Sequence, residues 1–170
     1  MVTKSTEAQK GGSAYFGIGN DGFRKYSVSF STGLMDNGWA ITFMGSLNTG
    51  DGYVKGTNYE GWTYFGNISK VINDHHKLSL TAFGAPQWHN QRSTMHYIED
   101  YKNSPDGGRF NNGYGYINGE AVGSGYGYNY YHKPQVSLNH YWTIDEKSTL
   151  TTSLYLSLIH ISEPTRHLRI

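Results

Sequence analysis

The 170-residue chain contains no cysteine, so neither a disulfide nor a thiolate metal site can hold it together. Proline occurs only four times, and Asp, Glu, Lys and Arg together make up only 16% of the chain. Fourteen basic residues against thirteen acidic ones leave a formal charge of +1, without the basic footprint of a nucleic-acid-binding surface. No apolar run approaches the roughly 18 residues of a membrane-spanning helix. The opening "MVTKSTEAQKGG" has no apolar stretch, so no signal peptide is expected in it. What is abundant is glycine, at 22 residues, and aromatic side chains, led by 15 tyrosines. Tyrosine and glycine with few helix formers predict β structure joined by long polar loops.

Residues 17–22, "GIGNDG", match the spacing of a dinucleotide-binding fingerprint. That fingerprint needs a helix after the glycines, because the helix N-terminus supplies the donors for phosphate. Instead Tyr26, Val28, Phe30, Thr32 and Leu34 alternate with Lys25, Ser27, Ser29, Ser31 and Gly33. A period of two is a strand, so the glycines make a turn.

The alternation recurs. Trp39, Ile41, Phe43 and Leu47 alternate with Ala40, Thr42, Ser46 and Asn48, with Met44 on the polar parity. Trp62, Tyr64 and Ile68 alternate with Thr63, Asn67 and Ser69, with Phe65 and Val71 on the polar side. Leu78, Leu80, Ala82, Pro86 and Trp88 form the next set, then Val136, Leu138, Trp142 and Ile144, then Leu150, Leu154 and Leu156. With a first strand near 12–19, seven strands are predicted, each about the length that crosses a bilayer when tilted.

"MDNG" (35–38), "NDHH" (73–76) and "DEKS" (145–148) read as tight turns. The other end carries "NDG" and longer segments at 49–61 and 93–133. One parity is Val, Ile, Leu, Phe, Trp and Tyr; the other is Ser, Thr, Asn and Gln rather than Lys and Glu. Short turns at one end, long loops at the other and aromatics near strand ends (Tyr26, Trp39, Trp62, Trp88, Trp142) fit an outer-membrane barrel. The expected fold is therefore all-β: an antiparallel up-and-down meander, an open fragment of a transmembrane β-barrel. Val28, Phe30, Ile41, Phe43, Leu80, Leu138 and Leu154 are assigned to lipid; Ser29, Thr42, Thr81, Asn139 and Ser153 are assigned to the lumen. Two other readings stay open. One is a soluble or surface-attached β-sheet module that binds glycan or protein through a Tyr/Gly-rich loop, and the other is a passive porin-like barrel.

Residues 156–166, "LSLIHISEPTR", break the alternation. The string resembles the translation of a transposase adapter used in sequencing libraries. That resemblance implies that the native chain departs from this one near Tyr155, leaving 156–170 outside functional reasoning.

The remaining chain resembles a TonB-dependent outer-membrane receptor in a Bacteroidetes-like version. The resemblance rests on "MVTKST", similar to the last plug strand where the family often reads "GGVINIVTK". It rests also on "GDGYVKGTNYEGWTYFGNISK", "LSLTAFGAPQWHNQR" and "YYHKPQVSLNHYWTIDEKSTLTTSLYLS". It implies a 22-stranded barrel closed by an N-terminal plug. Residues 1–8 would end the plug, and 9–155 would supply about seven barrel strands. Further implications are an outer-membrane location in a Gram-negative bacterium, contact with outer-membrane lipid, and energy-coupled uptake of a nutrient such as a ferric siderophore, haem, cobalamin or glycan. TonB would engage the N-terminal region of the full protein, which this chain does not include.

No nucleophile–base arrangement or acid pair marks an enzyme, and no cofactor or resident metal is expected. His75 and His76 fall in a turn, and His89, His96 and His132 bracket the long loop without a supporting carboxylate pattern. "NIS" at Asn67 matches a glycosylation sequon but lies within a strand. The ligand-binding candidate is the long loop, where tyrosines give rigid contact area and glycines let the backbone adapt. Its candidate residues are His96, Tyr97, Tyr101, Arg109, Tyr114, Tyr116, Tyr126 and Tyr128. A purely structural lid or extended hairpin is the competing role for the same segment.

Overall fold

The alternating segments form strands in a computed structural model, which describes residues 6, 8–92, 95–118, 120–122 and 128–158. The principal strands are β1 (Gly11–Ile18), β2 (Arg24–Leu34), β3 (Trp39–Gly50), β4 (Tyr59–Val71) and β5 (His76–Gly84). Short β6 (Gln87–His89), β7 (Gly115–Ile117), β8 (Glu120–Val122) and β9 (Asn129–Tyr131) follow, then β10 (Gln135–Thr143) and β11 (Thr149–Ser157). A helix α1 (Ile98–Asn103) and a 3-10 turn (Gly107–Arg109) interrupt the long loop. The sheet runs β1-β2-β3-β4-β5-β10-β11, with β6 on β4 and β9 on β6, while β7 and β8 form a separate hairpin. Every pairing is antiparallel. Among the described residues β1 and β11 each pair on one side only, so the meander is open.

Turn chemistry explains the short connections. Asp21 and Gly22 both take positive φ between β1 and β2, which Asp tolerates and Gly adopts freely. Asn73 Oδ1 accepts the backbone N–H of His75 and His76, closing the β4–β5 turn. At the β10–β11 turn, the Asp145 carboxylate accepts the N–H of Lys147 at 2.8 Å. That bond, with help from Ser148, holds its pKa below the ordinary 3.8.

Burial is inverted relative to a soluble sheet. Ser31, Asn67, Ser69, Ser79, Thr81, Ser137 and Asn139 are buried, whereas Ala40 is the one buried hydrophobic residue among those described. Register explains the pattern, because residues directly opposite in an antiparallel ladder share a face. One row on the polar face runs Thr42–Asn67–Thr81–Ser137, and the next runs Ala40–Ser69–Ser79–Asn139–Ser153. These rows are bonded internally. Asn67 Nδ2 donates to Ser79 Oγ at 2.9 Å and to Thr81 Oγ1 at 2.7 Å, and Ser69 Oγ donates to Asn67 Oδ1 at 2.8 Å. Asn67, 1% exposed and engaged on both ends of its amide, cannot serve the sequon it belongs to.

The apolar face holds the complementary rows. Ile41, Ile68, Leu80, Leu138 and Leu154 lie side by side across five strands. Each is at least 37% exposed. Phe30 and Phe43 pair one row away. Trp62 and Tyr26 stand toward the loop end of this face, and Trp39 and Trp142 stand toward the tight-turn end. From Trp62 to the Trp39 row, β4 runs roughly 26 Å at ~3.3 Å per residue.

One predicted strand is interrupted without losing its register, and one residue changes face. The predicted strand through Leu78 to Trp88 breaks at Ala85 and Pro86, because Pro86 has no N–H for the ladder. Its far half, β6, keeps β5's register along β4, and β9 continues β10's register on the other side, so the alternation through Trp88 survives the break. Leu34 does not continue the apolar parity of β2. The pairing shifts between Ser31 and Leu34, where Gly33 at φ +65° makes a bulge. Leu34 then opposes Ala40 and joins the polar face. Leu156 and Ser157 continue β11 opposite Val136 and Gln135. Residues 159–170 lie outside the described part, as do 1–5 and 7 of the predicted plug end.

Candidate functional site

Three loops gather at the end of the sheet away from the tight turns. The 51–58 loop is fastened to the β1–β2 turn by the Asp51 N–H donating to the Asp21 carbonyl at 2.8 Å. The long loop is fastened to both. Arg109 Nη2 lies 2.6 Å from Asp21 Oδ1, and its guanidinium sits 4.8 Å from the Tyr53 ring centroid. Lys55 Nζ lies 2.5 Å from Asp106 Oδ1, and the Lys55 backbone N–H donates to the Arg109 carbonyl at 2.9 Å. Asn111 Nδ2 donates to the Lys55 carbonyl at 2.7 Å. Gly56 takes φ +71° directly against the Tyr114 ring, leaving no room there for a Cβ. The long loop is therefore a folded cap on the shorter one.

Local sequence builds the cap's own small core. The Tyr97 N–H donates to Asp100 Oδ2 at 3.0 Å, starting α1 with two acidic residues in its first turn. His96 packs edge-on against Phe110 at 5.1 Å and Tyr101 at 5.9 Å. Arg92 closes the cluster, lying 5.2 Å from the Tyr101 centroid and donating to the Phe110 carbonyl at 3.1 Å. The His96 side chain is 7% exposed, so it is part of this core rather than a ligand contact.

The eight candidate residues thus separate. His96 and Tyr101 are structural; Arg109 and Tyr114 hold the cap to the 51–58 loop; Tyr97 and Tyr128 are open to solvent. Tyr128 stacks on Trp88 at 6.2 Å. Tyr126 and the side chain of Tyr116 lie outside the described residues. His132 does not meet His89 or His96; it bonds to the Tyr64 hydroxyl at 3.0 Å. Among the described residues no group of three or more His, Cys, Asp or Glu could hold a metal ion.

A second feature lies outside the candidate loop. A cleft of about 320 Å³ lies near the cap, lined by Asn48, Thr57, Tyr59, Glu60, Gln87, Trp88, His89 and Asn90. Tyr59 opposes both Gly50 and His89, and Gln87 opposes Gly61 and bonds to the Tyr131 hydroxyl. Asn90 Nδ2 donates to Asn58 Oδ1 at 2.8 Å. The signal for this cleft was present in the parity of β4, which carries back from Asn67 through Gly61 to Tyr59. Amide and hydroxyl groups at such a cleft can both donate and accept, and the Glu60 carboxylate, bonded by Trp62 Nε1 at 2.8 Å, adds an acceptor, which together suit a polar ligand rich in donors.

Replacing Arg109 with Ala should loosen the cap without unfolding the sheet. A half-exposed ion pair and one cation–π contact are together worth about 1 kcal/mol, or roughly fivefold in local opening. Amide exchange should quicken in 51–58 and 104–112 and stay unchanged in β3 and β4.

No helix among the described residues is long and apolar enough to cross a membrane, a statement that leaves strands aside. The chain matches no family model, no curated protein and no solved structure.

Proposed function

We propose that this chain is part of an energy-coupled outer-membrane receptor of the TonB-dependent kind, taking up a scarce nutrient. One observation carries the reading: the exposed face is apolar and aromatic-edged, while the buried face is serine, threonine and asparagine. A protein in water gains nothing by exposing rows of Ile, Leu and Phe, and soluble monomers rarely leave such a continuous patch. In a bilayer those rows meet lipid, and the polar rows line the interior of a closed barrel. The sorted loops support the same orientation, with the cap outside the cell and the tight turns in the periplasm. Closure requires further strands beyond β1 and β11, which the full receptor provides. Ligand then binds between the cap, the amide-lined cleft and the plug of the full protein, and TonB displaces the plug.

The soluble-module reading predicts a different partition, and the porin-like reading a different energy requirement. Deletion of the complete gene should remove uptake of one nutrient among ferric siderophore, haem, cobalamin and glycan, and deletion of TonB should remove the same uptake. Uptake that survives without TonB would leave a passive pore. Recovery of the gene product in the aqueous fraction rather than the outer membrane would overturn the barrel itself.

A further inference from the structure

Two imidazoles on the apolar face take no part in the function proposed above. His76 opens β5 directly opposite Trp142, and His140 in β10 is opposite Leu78, which makes the histidines diagonal neighbours on one face. His76 Nδ1 lies 3.0 Å from His140 Nε2, with the rings 13° from parallel. Trp142 stacks on His76 at 5.6 Å, and the Asn73 side chain fixes the backbone beneath it. Both imidazoles are half-buried at the tight-turn end, where solvent reaches the strand ends. The neighbouring His75 is engaged elsewhere, donating from Nδ1 to the Thr143 carbonyl at 2.8 Å. Lys70 on the same face donates to the Asn37 carbonyl at 2.6 Å and lies over Trp39, so its charge is directed away from the pair.

We propose that His76 and His140 form a cross-strand binding site for a d-block dication, with Cu²⁺ preferred over Ni²⁺ and Zn²⁺. Imidazole nitrogens bind such ions at about 2.0–2.1 Å. With the nitrogens 3.0 Å and the ring centroids 5.2 Å apart, the rings meet almost head-on, so both turn on binding to bring their lone pairs onto one ion. Tetragonal nitrogen and oxygen coordination suits Cu(II) and Ni(II), and Cu²⁺ heads the affinity order.

Proton bookkeeping is simple. In the metal-free pair one ring nitrogen donates to the other. On binding, that proton passes to the second nitrogen of its own ring, so two neutral imidazoles present two lone pairs with no net proton loss. Water fills the remaining positions, since no third His, Cys, Asp or Glu joins the pair among the described residues. The ion would clip together two strands whose histidines are 64 residues apart, so binding stabilises the sheet by mass action.

The test is a titration of the full chain, folded in detergent micelles, with Cu²⁺ alone, followed by electron paramagnetic resonance and thermal unfolding. One ion should bind with hyperfine splitting from two imidazole nitrogens and a rise in melting temperature. His76→Gln and His140→Gln should each lower affinity at least about tenfold, with unchanged far-UV circular dichroism, while His75→Gln leaves it alone. Parent-like affinity in either of the first two variants, or loss confined to His75→Gln, overturns the site. Zn²⁺ binding more tightly than Cu²⁺ overturns the metal preference.

Discussion

Phe43→Arg should destabilise the lipid-embedded receptor by about 2–4 kcal/mol, whereas Ser29→Arg, one row across and on the other face, should cost under about 1 kcal/mol. Position 43 lies midway along β3 between Trp39 and Leu47, whose rows carry the aromatic edges of the apolar face. An arginine there is as far as the sheet allows from either headgroup region, so snorkelling gives least relief. The same substitution discriminates between environments. Phe43 is 47% exposed, and in water a change at so open a position falls within about 0.5 kcal/mol. Reversible unfolding in phospholipid vesicles measures both variants. Equal costs at 43 and 29 would remove the lipid assignment, and with it the reason for calling the buried rows a barrel interior.

The second large effect concerns the opposite face. Asn67→Ala should cost about 2–4 kcal/mol, because it strips partners from Ser69, Ser79 and Thr81 together in a place water does not reach. Asn67→Leu, with the same side-chain heavy-atom count and branching, should be nearly as damaging, which separates lost hydrogen bonding from a cavity left by truncation. Ser153→Ala offers the control. Its hydroxyl makes a single described bond, to Asn139 Oδ1 at 2.7 Å, from an exposed position on β11. Its loss leaves one acceptor of the buried Asn139 unpaired, against three partners stripped at Asn67, and should cost about 1 kcal/mol. If Asn67→Leu were as stable as the parent, the polar rows would be incidental rather than the interior that holds neighbouring strands in register.

The two faces differ in how they resist change. The apolar rows depend on the surrounding medium and tolerate swaps among Ile, Leu, Val and Phe. The polar rows depend on specific partners on the next strand. The cap depends on neither, since its ion pairs at Asp21–Arg109 and Lys55–Asp106 are surface contacts that salt weakens.

Most of the sheet was legible in the chain itself. Strand alternation is local, repeats every two residues, and survives any tertiary context that keeps the faces distinct; this is why β1 to β5, β10 and β11 follow from Tyr26–Val28–Phe30 and its counterparts. The tight turns follow from Asn, Asp and Gly at positions where φ must be positive or a side chain must replace a backbone partner. Tertiary structure alone decided the rest. The bulge at Gly33 reverses the face of Leu34 through pairing with β3, and nothing within β2 announces it. Pro86 was visible, but that the ladder resumes beyond it in the same register, β6 between β4 and β9, is shown only by the pairing. His96 read as a candidate ligand because its half-buried neighbours Tyr101 and Phe110 come together only when the loop folds. His76 and His140, 64 residues apart, meet because β10 returns beside β5 after the long loop. Periodicity reports which way a side chain faces; only register, set by hydrogen bonding between strands, reports what it touches.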